Sequence, residues 1–301
     1  MAESRVAIYG AIAANVAIAA TKFVVAGITG SSAMMSEGVH SVVDTANDLL
    51  LLVGVHRSQQ PPSPKHPFGH GKELYFWSLI VAVLIFGAGG GVSFYEGVMH
   101  VREPHALEDP LWNYVVLAFA AVFEGTSFWI ALRQFLREKD DIPFWRALRT
   151  SKDPATYTVV AEDAAALVGL AIAAVGVFAS HALDMPRLDG VASMAIGVLL
   201  AGVAVLLIRE SRGLLVGEGV RPETASAIQD IARSEPGVRE VGPVLSMYVG
   251  AEDVLVTFAV HFAPEVPASE VAAAIKRIET TVRERFPKVR RIFLEPVANT
   301  A

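Results

Sequence analysis

The chain has no cysteine and little charge: of its 301 residues 19% are charged, while 53% are hydrophobic. Without thiols there is neither a disulfide framework nor a thiolate metal site, so any bound metal must use imidazole and oxygen ligands. A net charge of -6 argues against nucleic acid as a partner. The scarce charges are also unevenly spread. Several apolar stretches lack the charged face that a soluble helix carries, and the mean hydropathy of +0.45 is high for a soluble domain. These shortages point to membrane insertion.

A spanning helix needs about 20 mostly apolar residues. Six segments qualify: 6–28, 33–55, 75–98, 112–132, 157–180 and 188–208. The first is alanine-rich and follows Arg5, as in a signal peptide. It is longer than a typical signal core and five spans follow it, so it reads as a retained helix. Basic residues gather after the second span (Arg57, Lys65, Lys72) and after the fourth (Arg137, Lys139, Arg146, Arg149, Lys152), against Arg102 and Arg187 on the other side. The positive-inside rule therefore expects both termini in the cytoplasm. Beyond residue 209 charge returns. The pattern predicts a helix over 222–234, strands over 241–249 and 253–262, and an amphipathic helix marked by Val271, Ile275, Ile278 and Val282. A last strand follows over 289–295. The expected fold is an all-α bundle of six transmembrane helices (1–208), then a small cytoplasmic α+β domain (209–301) of ferredoxin-like type, α-β-β-α-β.

The second span carries "SEGVHSVVDTANDLL". His40 and Asp44 are four apart and share a helix face, with Glu37 one turn earlier and Asp48 one turn later. Such groups near mid-bilayer cost at least roughly 2.5–3.5 kcal/mol each, so they face a partner or a pathway. An interhelical hydrogen bond would account for a lone pair. The fifth span adds Glu162 and Asp163 in "VVAEDAAALVG". Imidazole and carboxylates on facing helices suit a tetrahedral divalent ion such as Zn²⁺, which also neutralises the carboxylates. A metal-free proton pathway is the other use, because an ordinary imidazole titrates near neutrality. The loop "SPKHPFGHGKE" holds His66 and His70, a possible ligand pair or incidental turn residues. "GAGGG" at 87–91 reads as a helix-packing surface. Glu124 is a candidate gate or packing residue, and Glu96 lies near the membrane boundary.

Six spans, His-xxx-Asp in the second, "HPFGHGKE" before the third, an acidic fifth span and an α/β tail together resemble the cation diffusion facilitator family, over nearly the whole chain. The resemblance implies a homodimeric exporter exchanging cytoplasmic divalent metal, most often Zn²⁺, for protons by alternating access, with no prosthetic group. It implies a transport site at His40, Asp44 and Asp163. The family's fourth ligand falls at Val159, a departure. On a helical wheel Glu162 lies about 60° to one side of Val159 and Asp163 about 40° to the other. Glu162 then replaces the missing ligand, or it faces another helix and three ligands with a water complete the site. His66 and His70 match a second metal position whose acidic partner is Ser63 here. The tail has only His261, with Glu295 near its end, so a dimerisation domain with few or no metals is expected. Lys72 and Glu218 match a charge interlock.

Selectivity stays open between Zn²⁺ and Mn²⁺, Fe²⁺ or Co²⁺. A metal hydrolase would need a general base beside an open metal position, usually His-Glu-xx-His, which the chain lacks, so an enzyme is not expected. A non-transporting metal sensor or scaffold is the remaining rival. The expected location is a multi-pass protein of the bacterial inner membrane.

Overall fold

A computed structural model describes residues 2–105, 109–138, 143 and 154–298, with side chains given for 15–105, 109–137, 143 and 157–297. Lys139, Arg146, Arg149 and Lys152, which enter the orientation argument, lie outside the described residues. The chain divides into two compact units. One holds Met1–Val55 and Phe76–Ser211; the other holds His56–Tyr75 and Arg212–Ala301. The loop bearing His66 and His70 thus groups with the tail.

The first unit is helical. Its elements are α1 (Ala2–Thr29), α2 (Ser32–Ser58), α3 (Glu73–Arg102), α4 (Leu111–Glu138), α5 (Pro154–Ala182) and α6 (Arg187–Val216). Helix satisfies every backbone group internally, as a hydrocarbon surround demands. Among the described residues five helices, α2 to α6, are long and apolar enough to cross a membrane, and α1 adds the shorter apolar stretch Asn15–Thr29. Phe119, Trp129, Phe178 and Val198 stand exposed on the outside, while Ala173, Ile196, Ala204 and Tyr75 are buried. This inverted surface is that of an integral multi-pass membrane protein.

Two features fix helix positions. Asp189 at the start of α6 is fully buried and accepts hydrogen bonds from Ser31 Oγ (2.8 Å) and from the backbone N–H groups of Ser32 and Ala33. It therefore caps the N-terminus of α2, whose first donors have no intrahelical partner. The second feature is a pair of close glycine crossings. A Cβ on Gly97 would lie 2.6 Å from Gly190 O, and one on Gly197 would lie 2.8 Å from Gly90 O. With the members seven positions apart on each helix, α3 and α6 approach backbone to backbone at two successive levels. The expected packing role of the 87–91 run holds at Gly90, inside a π-helical segment over Ile85–Gly91.

The second unit contains α7 (Pro222–Arg233), β1 (Val238–Val241), β2 (Leu245–Gly250), β3 (Asp253–Phe262), α8 (Ala268–Arg285) and β4 (Val289–Ala298). The order is α-β-β-β-α-β, because the expected strand over 241–249 is broken. Pro243 has no N–H to give the ladder, and the chain splits there into β1 and β2. Both pair antiparallel with β3, and β4 runs parallel along the other edge of β3. Gln229 of α7 donates to the carbonyls of Val241 and Gly242 at the break (3.1 and 3.0 Å). The period-two pattern of β3 is realised: Val254, Val256, Phe258, Val260 and Phe262 pack beneath Ile228 and Ala232 of α7 and Ala274, Ile278 and Val282 of α8. On the other face Leu245, Thr257 and Phe293 share one register row. Leu245 and Phe293 are exposed.

Candidate metal centre

Four helices of the first unit enclose a cavity of about 340 Å³. Its wall is built from Asn15 and Ile18 of α1, Ser41, Asp44 and Asp48 of α2, Phe123, Glu124 and Ser127 of α4, and Val159, Glu162 and Asp163 of α5. Five carboxylates therefore face one space, and none of the lining residues is basic. Like charges this crowded repel each other, and either a divalent cation or protons relieve the repulsion. Two of the carboxylates are oriented. Asn47 Nδ2 donates to Glu162 Oε1 at 2.7 Å, and Ser127 Oγ donates to Asp163 Oδ2 at 2.8 Å. His40 is buried behind the wall with Nδ1 3.2 Å from Asp44 Oδ1. His40 Nε2 has no hydrogen-bond partner. Among the described residues no three His, Asp or Glu side chains converge tightly enough to grip one ion in this conformation. The arrangement is an acidic chamber with a histidine at its edge.

The loop residues lie in the other unit. Ser63 and His66 exchange backbone hydrogen bonds (3.1 and 3.0 Å), closing a tight turn that leaves the His66 and His70 rings 4.4 Å apart. Arg291 of β4 holds this loop: Nη2 donates to Phe68 O at 3.1 Å and to Asp253 Oδ2 at 3.0 Å. Its guanidinium also lies 5.3 Å from the centre of the Phe68 ring. Lys72 Nζ donates to Leu215 O at 3.2 Å. His261 sits on the face of β3 opposite Val260 and Phe262, half-buried as its place in the alternation implies.

The helices that line this chamber lie within a segment that matches a known family. Residues 8–216 match the cation efflux transmembrane domain. The chain belongs to the cation diffusion facilitator (cation efflux) family. It is 35% identical over 224 residues to the mouse protein named proton-coupled zinc antiporter SLC30A9, mitochondrial, covering 74% of this chain and 40% of that protein. It is 29% identical to metal tolerance protein C4 of Arabidopsis thaliana, covering 95% of this chain and 62% of that one. It is 26% identical to the magnetosome protein MamM of Paramagnetospirillum magneticum, covering 96% and 87%. Among solved structures, a nickel form of a MamM CTD variant is 19% identical, with a TM-score of 0.25, over 26% of this chain and 99% of that one. The chain spans about two fifths of the length of the SLC30A9 antiporters it matches. This is a family of transporters, not of enzymes.

For a cation efflux protein the placement of span five is informative. Val159, Glu162 and Asp163 all line the same chamber, so neither acidic residue is turned towards a different helix pair. Several residues escaped sequence reasoning. Asn47 and Ser127 are uncharged and gave no signal. Lys22 is a signal the sequence does offer, a lone cation in an apolar span. It is 1% exposed and its Nζ lies 3.1 Å from Glu37 Oε2. Glu37, one turn before His40 on the same face of α2, is fully buried and ion-paired in this conformation. Asp48 and Glu124 both join the chamber wall.

Proposed function

We propose that this protein exports Zn²⁺ from the cytoplasm in exchange for protons, by alternating access, as a homodimer in a bacterial inner membrane with both termini cytoplasmic. The observation that carries the reading is the chamber in which Asp44, Asp48, Glu124, Glu162 and Asp163 meet without a basic lining residue. The names of the antiporters it resembles support zinc as cargo and protons as counter-ion. A sixth span in α1 is supported by its 28-residue length, since a helix of that length is enough to cross a bilayer. The exposed Leu245 and Phe293 on the open sheet face support pairing through the tail, since apolar side chains in one row favour a covered surface.

In this mechanism the ligands are His40, Asp44 and Asp163, with Glu162 in place of a residue at 159. Metal binding requires deprotonated ligands, so an arriving ion expels protons. It takes Asp44 away from its present contact with His40, and imidazole nitrogen then serves either metal or proton. Asn47 and Ser127 orient the two carboxylates of α5, as outer-shell donors do at metal sites. Protonation from the far side releases the ion. Access alternates because metal and protons favour different helix packings. His66 and His70 form a second, weaker site on the loop.

Zn²⁺ uptake into inside-out vesicles under an imposed proton gradient tests this reading. Flux is expected in the wild type and lost in His40→Ala and Asp44→Ala; normal transport by both variants would overturn the site. Zinc bound without flux would identify a sensor instead. Titration with competing metals is expected to rank Zn²⁺ above Mn²⁺, Fe²⁺ and Co²⁺, and a preference for Mn²⁺ would overturn the choice of cargo.

A further inference from the structure

The buried cation Lys22 has no role in the chamber mechanism, yet it sits beside it. Its Nζ lies 3.1 Å from Glu37 Oε2 and donates to Ser41 Oγ at 2.8 Å. Ser41 is itself part of the chamber wall. Along α2 the residues Glu37, Ser41, Asp44 and Asp48 are spaced four, three and four apart, which places them on one stripe of the helix. The last three line the chamber. Glu37 is the next position on that stripe towards the N-terminus of α2, and Lys22 bridges it to the wall. Glu37 Oε1, by contrast, is buried without a hydrogen-bond partner. It points at α5, where a Cβ on Gly169 would come within 2.7 Å of it. Only a glycine leaves that oxygen room.

A buried ion pair is a poor device for joining two helices, because apolar residues of equal volume do so without a desolvation cost. A tethered ammonium on a polar stripe does what apolar packing does not: it sits against a carboxylate as its counter-cation while no other cation is there. We propose that Glu37 is a release-side metal ligand for which Lys22 is the resident counter-cation, displaced when a divalent ion moves one turn along α2 from His40 and Asp44. The proposal rests on the transport reading above. The step is an exchange of counter-ions and forms or breaks no covalent bond. Lys22 moves off Glu37 and keeps Ser41 as its acceptor, while the divalent ion takes both carboxylate oxygens, including the one now bare. The pair then closes behind the departing ion.

Two measurements on the purified full-length chain test it, with Zn²⁺ as the probe. Equilibrium binding against a chelating dye should show that Lys22→Met binds one more Zn²⁺ per chain than the wild type, and that Lys22→Met with Glu37→Gln loses the extra ion. Flux in proteoliposomes should show that Glu37→Gln, which keeps a side-chain oxygen for Lys22, lowers kcat by about tenfold or more and leaves KM within about twofold. The proposal is overturned if Lys22→Met binds no extra ion, if the extra ion survives in the double variant, or if Glu37→Gln transports at the wild-type kcat. Should Lys22→Met fail to fold with its carboxylate unpaired, the kcat of Glu37→Gln decides alone. A wild type without flux would sink the transport reading, and the binding arm would still report on Glu37.

Discussion

Asn47 shows what one uncharged side chain does in an apolar span. Its Nδ2 occupies Glu162 Oε1 at 2.7 Å, which leaves Oε2 as the oxygen for an ion and fixes the carboxylate's rotation. Removing such a donor from a metal ligand typically lowers affinity 10- to 100-fold. Asn47→Ala is therefore expected to weaken Zn²⁺ binding by about that factor in a calorimetric titration. An unchanged affinity would mean that Glu162 does not coordinate and that three ligands with a water complete the site. The two α5 acids differ in surroundings, since Glu162 is 6% exposed and Asp163 is half-buried. Burial makes Glu162 the more dependent on its donor, because a carboxylate far from water has no other source of hydrogen bonds.

Among the elements, α3 and α6 approach backbone to backbone at Gly97 and Gly197. A methyl group added at Gly97 or Gly197 would meet backbone atoms at 2.6 Å, a distance at which the helices themselves must separate. Overpacking of this kind costs about 1–3 kcal/mol. Gly97→Ala and Gly197→Ala should each lower the unfolding temperature in detergent, whereas Gly202→Ala, where nothing lies within 4 Å, should not. Equal behaviour of all three would argue against this crossing. Strand β3 plays the corresponding part in the other unit, flanked on one edge by β1 and β2 in tandem and on the other by β4. Its core face alternates strictly, so a slip of one residue would expose five apolar side chains.

For the molecule as a whole, the grouping of His56–Tyr75 with the tail is the feature with most consequence. The loop is connected in sequence to two membrane helices but held by Arg291 through Phe68 O, with Asp253 steadying the guanidinium. A bond to a charged donor contributes roughly 1.5–3 kcal/mol. Arg291→Ala is thus expected to speed hydrogen exchange at the amides of Gly69 to Glu73 and to weaken any metal bound at His66 and His70. The amides of β3 should keep their protection. Uniform loss of protection across the sheet would instead show that Arg291 stabilises the whole unit.

Much of this was legible in the sequence. Long apolar runs forced membrane helices, since length and hydropathy leave a bilayer span no alternative, and the His40–Asp44 spacing forced one helix face. The tail's alternation at 254–262 and its period at 271–282 identified a strand and a helix for the same reason. Three things needed the fold. The break at Pro243 has a local cause, but the apolar residues on both sides of it read as one strand until the fold showed two pieces, each paired with β3. The direction of Glu162, left open by the wheel, is settled towards the chamber because α5 packs against α2 and α4. The pairing of Lys22 with Glu37 joins residues 15 apart in sequence on two different helices, and periodicity within one helix carries no information about its neighbour. Local spacing determined which residues share a face; only packing between helices decided what each face meets.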